Sequence, residues 1–147
     1  MKRQYVITAN WKMNMTFEEC DVFVDKFKNL LLDKPESKVI FCPPFSALFY
    51  MNGLLLGTHG ELGAQNVFWE DQGAFTGEIS AEMLKSCNVS YVIIGHSERR
   101  QLFFETDETV NKRVRKALSS GLIPIMCIGE TLEQRKNGET LSVLKTQ

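Results

Sequence analysis

The stretch Tyr91-Val-Ile-Ile-Gly-His-Ser-Glu-Arg-Arg100 joins a short apolar run to a group of polar and charged residues. Residues 91–94 are aromatic or aliphatic without polar alternation, which is typical of a strand covered on both faces in a parallel sheet. Gly95 then allows a turn, so His96 and the charged residues after it follow the carboxyl end of that strand. Ligands of parallel α/β folds bind at this end, because the βα loops converge there. A solvated loop is the alternative interpretation of a lone histidine in such a position.

Four further apolar runs, at residues 5–9, 38–42, 62–65 and 122–128, predict four more buried strands. The strand ends recur roughly every 30 residues, which is the length of one βα unit. This alternation predicts an α/β fold in which a parallel sheet has helices outside it. A doubly wound open sheet would normally carry a glycine-rich phosphate loop after its first strand, and residues 10–13 have no such loop. We therefore predict a (β/α)8 barrel of about 250 residues, of which this chain holds about five units as a single domain, residues 1–147, ending after the fifth strand and the start of the next helix.

The segments between the predicted strands carry helix signals. Two predicted N-caps are threonines followed three residues later by Glu or Gln, namely Thr16 with Glu19 and Thr131 with Gln134. Two others are single residues, Ser80 and Asp107. The first helix is expected to stop before Pro35. Residues 96–100 are expected to form a loop past the end of the strand, and residues 101–104 a short link.

A longer irregular segment, residues 66–77, contains three aromatic residues, Phe68, Trp69 and Phe75. Aromatic side chains in a long loop need a surface against which to pack. A partner subunit is one such surface, and a local fold of the segment over its own domain is the other. The pattern does not favour either alternative.

The composition is that of an ordinary soluble globular protein, with 17 basic and 18 acidic residues and a net charge of -1. The densest basic cluster, Lys112, Arg113, Arg115 and Lys116, is expected to form a solvated helix face, and no nucleic-acid partner is predicted. No apolar run approaches the roughly 18 to 20 residues that span a bilayer, so no membrane partner is predicted either. The four cysteines lie far apart without a Cys-x-x-Cys pair, which favours reduced thiols of a cytoplasmic protein over a metal site or a disulfide framework.

Five segments of the chain resemble triosephosphate isomerases in order and in spacing. They are Ala9-Asn-Trp-Lys-Met-Asn14, Gly63-Ala-Gln-Asn66, Gly73-Ala-Phe-Thr-Gly-Glu-Ile79, Gly95-His-Ser-Glu-Arg-Arg100 and Cys127-Ile-Gly-Glu130. The resemblance implies a TIM barrel and the interconversion of dihydroxyacetone phosphate and D-glyceraldehyde 3-phosphate through an enediolate, in glycolysis and gluconeogenesis. The substrate would be a small phosphorylated triose, and no cofactor is implied.

The resemblance also implies a role for each residue of the site, at the carboxyl-terminal mouth of the strands. His96 would be the electrophile at the substrate carbonyl, and this family is itself a standard example of a histidine kept neutral by a helix N-terminus. Lys12 would face the phosphate and the enediolate, and Asn10 would donate to the substrate. Glu98 would hold Lys12 and Asn10, and Ser97 would help to fix the loop.

Partners and completeness are further implications of the resemblance. The complete enzyme would be a homodimer in which Gln65, Phe75 and Thr76 lie at the interface, with Thr76 extending toward the site of the other subunit. The family's carboxylate base and phosphate loops would follow residue 147, so this chain is expected to be inactive alone. The alternative function is a non-catalytic partial barrel that acts as an assembly or complementation fragment. With no neighbours for the first and fifth strands, the isolated chain is expected to associate or to be molten.

Overall fold

A computed structural model describes residues 4–32 and 36–147; the predicted helix stop before Pro35 falls outside the described residues. The described residues form one five-stranded parallel sheet in the order of the chain. Its strands are β1 (Val6–Asn10), β2 (Lys38–Cys42), β3 (Gly60–Ala64), β4 (Tyr91–Ile94) and β5 (Ile123–Met126). The sheet with its connecting helices has the architecture of five units of a (β/α)8 barrel, as the sequence predicts.

Helices connect the strands and follow the last one. Within the described ranges they are α1 (Phe17–Leu32), α2 (Phe45–Leu54), α3 (Ala81–Ser86), α4 (Ser97–Leu102), α5 (Asp107–Ser119), α6 (Leu132–Lys136) and α7 (Thr140–Thr146). The capping predictions at Thr16, Ser80 and Thr131 are confirmed, because each hydroxyl accepts a backbone N–H three residues later. None of the helices in these ranges is both long and apolar enough to cross a membrane.

Strand β2 shows how the sheet is covered on both faces. Phe41 packs in the layer between the sheet and the helices, where most of the apolar core lies. Ile40 and Cys42 face the other way, into a smaller cluster with Tyr91 and Ile93 of β4. Successive side chains of a strand point to opposite faces, so this second cluster is the interior of the barrel.

The outer strands differ from the prediction of five buried strands. Side chains of β1, such as Ile7 with 59% exposure, and of β5, such as Ile123 with 51% exposure, face solvent. The reason is their position, because β1 and β5 are the two edges of the sheet. Apolar strands at a sheet edge favour association with other chains.

Two local predictions after β4 are wrong. Residues 97–102 form helix α4 where we expected a loop and link, because the His96 ring accepts the N–H of Glu98 and so caps a turn. The N-cap of α5 is Thr106, whose hydroxyl accepts the N–H of Thr109 in a capping box. Asp107 is instead the first residue of that helix, where a carboxylate still suits the helix dipole.

The predicted solvated face of α5 is also wrong at Arg113, which is 5% exposed. Arg113 follows the buried Val110 by three residues, so it lies on the face of α5 that packs against the rest of the domain. Its Nη1 donates to the carbonyl of Val67 at 2.6 Å, and its Nε lies 3.2 Å from the Glu105 carboxylate. The guanidinium thereby attaches α5 to the segment after β3.

The aromatic residues of segment 66–77 pack on one another within the chain. The Phe68 ring lies 4.1 Å from that of Trp69 and 4.7 Å from that of Phe75, and the Arg113 guanidinium lies 4.9 Å from the Trp69 ring. Phe68 is buried, whereas Phe75 keeps 42% exposure. The local alternative therefore accounts for Phe68 and Trp69, and Phe75 retains an open face.

Candidate active site

Lys12, His96 and Glu98 come together at the carboxyl ends of β1 and β4. The Lys12 ammonium lies 2.7 Å from Glu98 Oε1, and His96 Nδ1 lies 3.4 Å from Glu98 Oε2. One carboxylate thus contacts both the cation and the imidazole, although Lys12 and Glu98 are 86 residues apart in the chain. Helix α4 makes this possible, because it turns Glu98 back over the end of the sheet.

The backbone of Lys12 is held in an unusual conformation. Its φ of +54° lies in the left-handed region, which costs a residue with a side chain roughly 1–2 kcal/mol. The Asn10 side chain accepts the N–H of Lys12 at 2.9 Å, and Gln65 Nε2 donates to the Lys12 carbonyl at 2.8 Å. Gln65 also donates to the carbonyl of Cys42, so one amide joins the ends of β1, β2 and β3. These bonds direct the Lys12 side chain toward Glu98.

The two contacts of His96 Nδ1 favour opposite protonation states of that nitrogen. The backbone N–H of Glu98 points at Nδ1 from 3.3 Å and requires an unprotonated nitrogen, whereas the Oε2 contact would favour a protonated one. The backbone N–H decides, because it cannot act as an acceptor and two hydrogens would otherwise face each other. A neutral ring with its proton on Nε2 satisfies this arrangement.

Glu98 is ionised at neutral pH. The hydrogen bond from Lys12 is the main reason that the pKa of Glu98 is lowered, and the charge of Lys12 lowers it further against an opposing effect of desolvation. The pair is accessible to solvent, with side-chain exposures of 50% for Lys12 and 43% for Glu98. Such a pair fixes geometry more than it adds stability.

The remaining predicted residues lie around this group. Ser97 is exposed and begins α4, and Gln65 is joined to the Lys12 carbonyl within the chain. Phe75 and Thr76 lie in the aromatic segment, and Thr76 is exposed. The roles predicted for these four residues stay predictions.

A cleft of about 500 Å³ opens between the ends of β4 and β5. Its walls include His96, Arg100, Cys127 and Glu130, together with the backbone of Gly129. The pKa of Glu130 is lowered by a backbone N–H and by the Thr140 hydroxyl. The volume suits a small polar molecule, and part of the predicted site lies on its wall.

Sequence patterns placed Arg100 after the carboxyl end of β4 but assigned it no role. Its Nε donates to the Gly95 carbonyl at 2.9 Å, and its Nη1 donates to Asp107 Oδ1 at 2.6 Å. The only available signal was the pair of adjacent arginines after Glu98, which does not distinguish a buried arginine from a solvated one. Within residues 4–32 and 36–147, no group of three His, Cys, Asp or Glu side chains is arranged to hold a metal ion.

The sheet has the architecture of a (β/α)8 barrel, and functional side chains grouped at the carboxyl end of the strands are typical of (β/α)8-barrel enzymes. The family model for triosephosphate isomerase matches residues 5–147. Three triosephosphate isomerases are similar over 99% of this chain: those of Trichodesmium erythraeum (53% identity), Alkaliphilus oremlandii (52%) and Dictyoglomus turgidum (50%). The chain belongs to the triosephosphate isomerase family, whose members are isomerases. It spans 61%, 58% and 58% of the length of these three relatives.

Proposed function

We propose that the whole protein interconverts dihydroxyacetone phosphate and D-glyceraldehyde 3-phosphate by proton transfer through an enediolate, in glycolysis and gluconeogenesis. The observation that carries this proposal is Glu98, whose carboxylate accepts from the Lys12 ammonium at 2.7 Å and whose backbone N–H donates to His96 Nδ1 at 3.3 Å. An enediolate intermediate needs a donor at the carbonyl oxygen and a cation near the developing charge. His96 and Lys12 are groups of these two kinds, and one residue holds both.

His96 is proposed as the electrophile. Because Nδ1 is used by the N–H of Glu98, Nε2 is the nitrogen available to donate to a substrate oxygen. A neutral imidazole can donate a hydrogen bond to this oxygen. It is a weaker acid than an imidazolium, so it does not trap the intermediate by protonating it. Glu98 and Ser97, at the start of α4, would keep the ring and its loop in place.

Lys12 is proposed as the cation for the phosphate and for the enediolate oxygens. Its flexible side chain can move from Glu98 to an anionic substrate, since both side chains are exposed. Asn10 would assist as a neutral donor, because its Oδ1 is used by the N–H of Lys12 and its Nδ2 is left to donate. Gln65 would support both residues through the Lys12 carbonyl.

The general base is proposed to come from outside the sequence described here. Glu98 and Glu130 are the carboxylates near His96 and the cleft, and the pKa of each is lowered by hydrogen bonds. A lowered pKa makes a carboxylate a weaker base, and loss of general-base catalysis costs roughly 10²- to 10⁴-fold in rate. We therefore expect the 147-residue chain to have little or no activity alone.

A homodimer is proposed for the whole protein, with Phe75 and Thr76 at the interface. The exposed face of Phe75, next to buried Phe68, supports this part of the proposal. Gln65 would contribute indirectly, because its two bonds lie within the chain. The four cysteines are all free thiols, as expected in a reducing compartment, and we assign the protein to the cytoplasm.

An isomerase assay coupled to a dehydrogenase tests the activity of the whole protein. We expect turnover by the wild type and a loss of roughly 10²- to 10⁴-fold in His96→Gln, as for removal of an acid–base group. His59→Gln is the matched control, because His59 is exposed and precedes β3 at the opposite end of the sheet. Equal activity of the two variants, or an inactive wild type, would overturn the proposal.

The exposed side chains of β1 and β5 favour a second candidate, a partial barrel that acts only as an assembly or complementation fragment. The same assay separates the two candidates when the 147-residue chain is measured alone and with a separately supplied C-terminal portion from a relative. Turnover that appears only in the mixture supports complementation and the external base. Turnover by the chain alone would contradict the assignment of the base to another segment.

A further inference from the structure

The peptide that carries His96 begins at an unusually permissive residue. Gly95 has a φ of +72°, in the left-handed region that glycine adopts without a steric penalty. Its carbonyl belongs to the same peptide plane as the N–H of His96, so rotation of this plane would reorient the His96 Cα–Cβ bond. A glycine alone does not prevent that rotation, and another group must hold the carbonyl.

Arg100 holds that carbonyl from one turn further along the chain. Its Nε donates to Gly95 O at 2.9 Å, while Nη1 of the same guanidinium donates to Asp107 Oδ1 at 2.6 Å. Asp107 is the first residue of α5 and thus belongs to a different helix. The rigid guanidinium therefore connects the end of β4 to the start of α5. In the sequence, His96 lies between the two acceptor residues, Gly95 and Asp107.

The surroundings of Gly95 leave little room for an alternative arrangement. A Cβ built on Gly95 would lie 3.1 Å from Val110 Cγ2 and 3.2 Å from Arg100 Nη2. The Arg100 side chain is 16% exposed, and its Nη2 is buried without a hydrogen-bond partner among the described residues. The close contacts of Gly95 and the low exposure of Arg100 therefore restrict the guanidinium to the position in which it holds the Gly95 carbonyl.

We propose that Arg100 is a positioning residue for the reaction, which fixes the Gly95–His96 peptide and thereby the direction of the His96 imidazole. Arg100 lies on the wall of the cleft but acts on the chemistry through His96. Lysine would be a poor substitute, because a single ammonium does not reproduce two bonds from separate guanidinium nitrogens in fixed directions. The catalytic part of this inference rests on the proposed function, whereas the orientation of the ring does not.

The test uses the whole protein with Arg100→Gln and Arg100→Lys, and with Arg115→Gln as the matched control. Arg115 is exposed on α5 and bonds to Asn111 of the same helix. We expect kcat of Arg100→Gln to fall by about 10²-fold, as for a reacting group misplaced by about 1 Å, with a much smaller change in KM. Arg100→Lys should be intermediate, and the Arg115 variant should match the wild type.

Two-dimensional ¹⁵N NMR of the imidazole nitrogens supplies a second readout, with His59→Gln used to assign the signals. In the wild type, His96 should show a protonated Nε2 and an unprotonated Nδ1, and Arg100→Gln should shift these signals toward the average of the two tautomers. Unchanged His96 signals in Arg100→Gln would overturn the inference. The inference would also be overturned if a smaller folded fraction, measured by circular dichroism, accounted for the whole fall in activity. An inactive wild type would refute the proposed function alone, because the NMR comparison still decides the role of Arg100.

Discussion

Gly63 lies inside the barrel on β3, where a side chain would collide with β2. A Cβ built on Gly63 would lie 2.5 Å from Cys42 Sγ and 3.1 Å from Ile40 Cγ2. Comfortable contacts between such atoms are about 3.5–4.0 Å, so the overlap with the sulfur is about 1 Å. Cys42 and Ile40 are fully buried and have no solvent side into which to move. We expect Gly63→Ala to lower the free energy of unfolding by about 1–3 kcal/mol, the usual cost of overpacking a core.

A double-mutant cycle with Cys42→Ala measures this collision directly. Removing the sulfur should cost stability in the wild type but recover part of the loss in Gly63→Ala, with a coupling free energy of about 1–2 kcal/mol. Ile40 limits the recovery, because its methyl group is not removed. The assay is urea unfolding of the whole protein by circular dichroism at one protein concentration.

Gly53→Ala is the matched control for the effect of glycine on the unfolded chain. Gly53 is helical, and a Cβ there would meet nothing within 4 Å, so this variant should be stabilised by roughly 0.5–1 kcal/mol. If the Gly63 and Gly53 variants had equal stability, or if the cycle were additive, the packing explanation would be refuted.

Three further predictions follow from single side chains. Burial raises the pKa of the Cys42 thiol from 9.0 to about 12. Above pH 9.0 the unfolded state releases this proton and the folded state keeps it, so the contribution of Cys42 to stability, complete below pH 9.0, is lost between pH 9.0 and about 12. The free energy of unfolding should therefore fall further over this range in the wild type than in Cys42→Ala. Thr106→Ala should cost about 1 kcal/mol in thermal unfolding, because Thr106 caps α5; an unchanged stability would contradict that cap. Lys12→Met should raise the pKa of Glu98 toward its ordinary value in a ¹³C NMR titration, because the hydrogen bond from Lys12 is the main cause of the lowered pKa. In the wild type the Lys12–Glu98 pair is lost as pH falls and Glu98 becomes protonated. An unchanged titration in Lys12→Met would mean that another group lowers the pKa of Glu98.

Local features of the fold could be predicted from the sequence. The bounds of β2 and β4 agree with the apolar runs, and the capping boxes at Thr16 and Thr131 form as expected. Each depends on neighbouring residues only: an unbroken apolar run, or a hydroxyl and a carboxylate or amide three positions apart. The regular spacing of these runs was enough to predict the parallel order of the strands.

The residues of the site could be predicted, and the resemblance implied their roles, but the backbone geometry that supports them could not be predicted. Asn10, Lys12 and His96 were recognisable because each follows the carboxyl end of a strand. The left-handed φ of Lys12 and its support by Gln65, 53 residues away, were not recognisable. A backbone strain is tolerated only where the surrounding structure enforces it, so a single segment does not reveal it.

Tertiary structure alone decided which charged residues are buried. Arg113 and Arg100 look like other basic residues of their helices, yet Arg113 is buried, Arg100 is half-buried, and each is bonded to a carbonyl, that of Val67 or of Gly95. Helix α4 likewise depends on the His96 ring acting as its cap. The charge pattern of a helix indicates which of its faces is polar. Whether that face is buried depends on residues that are distant in sequence, and only the folded chain brings them together.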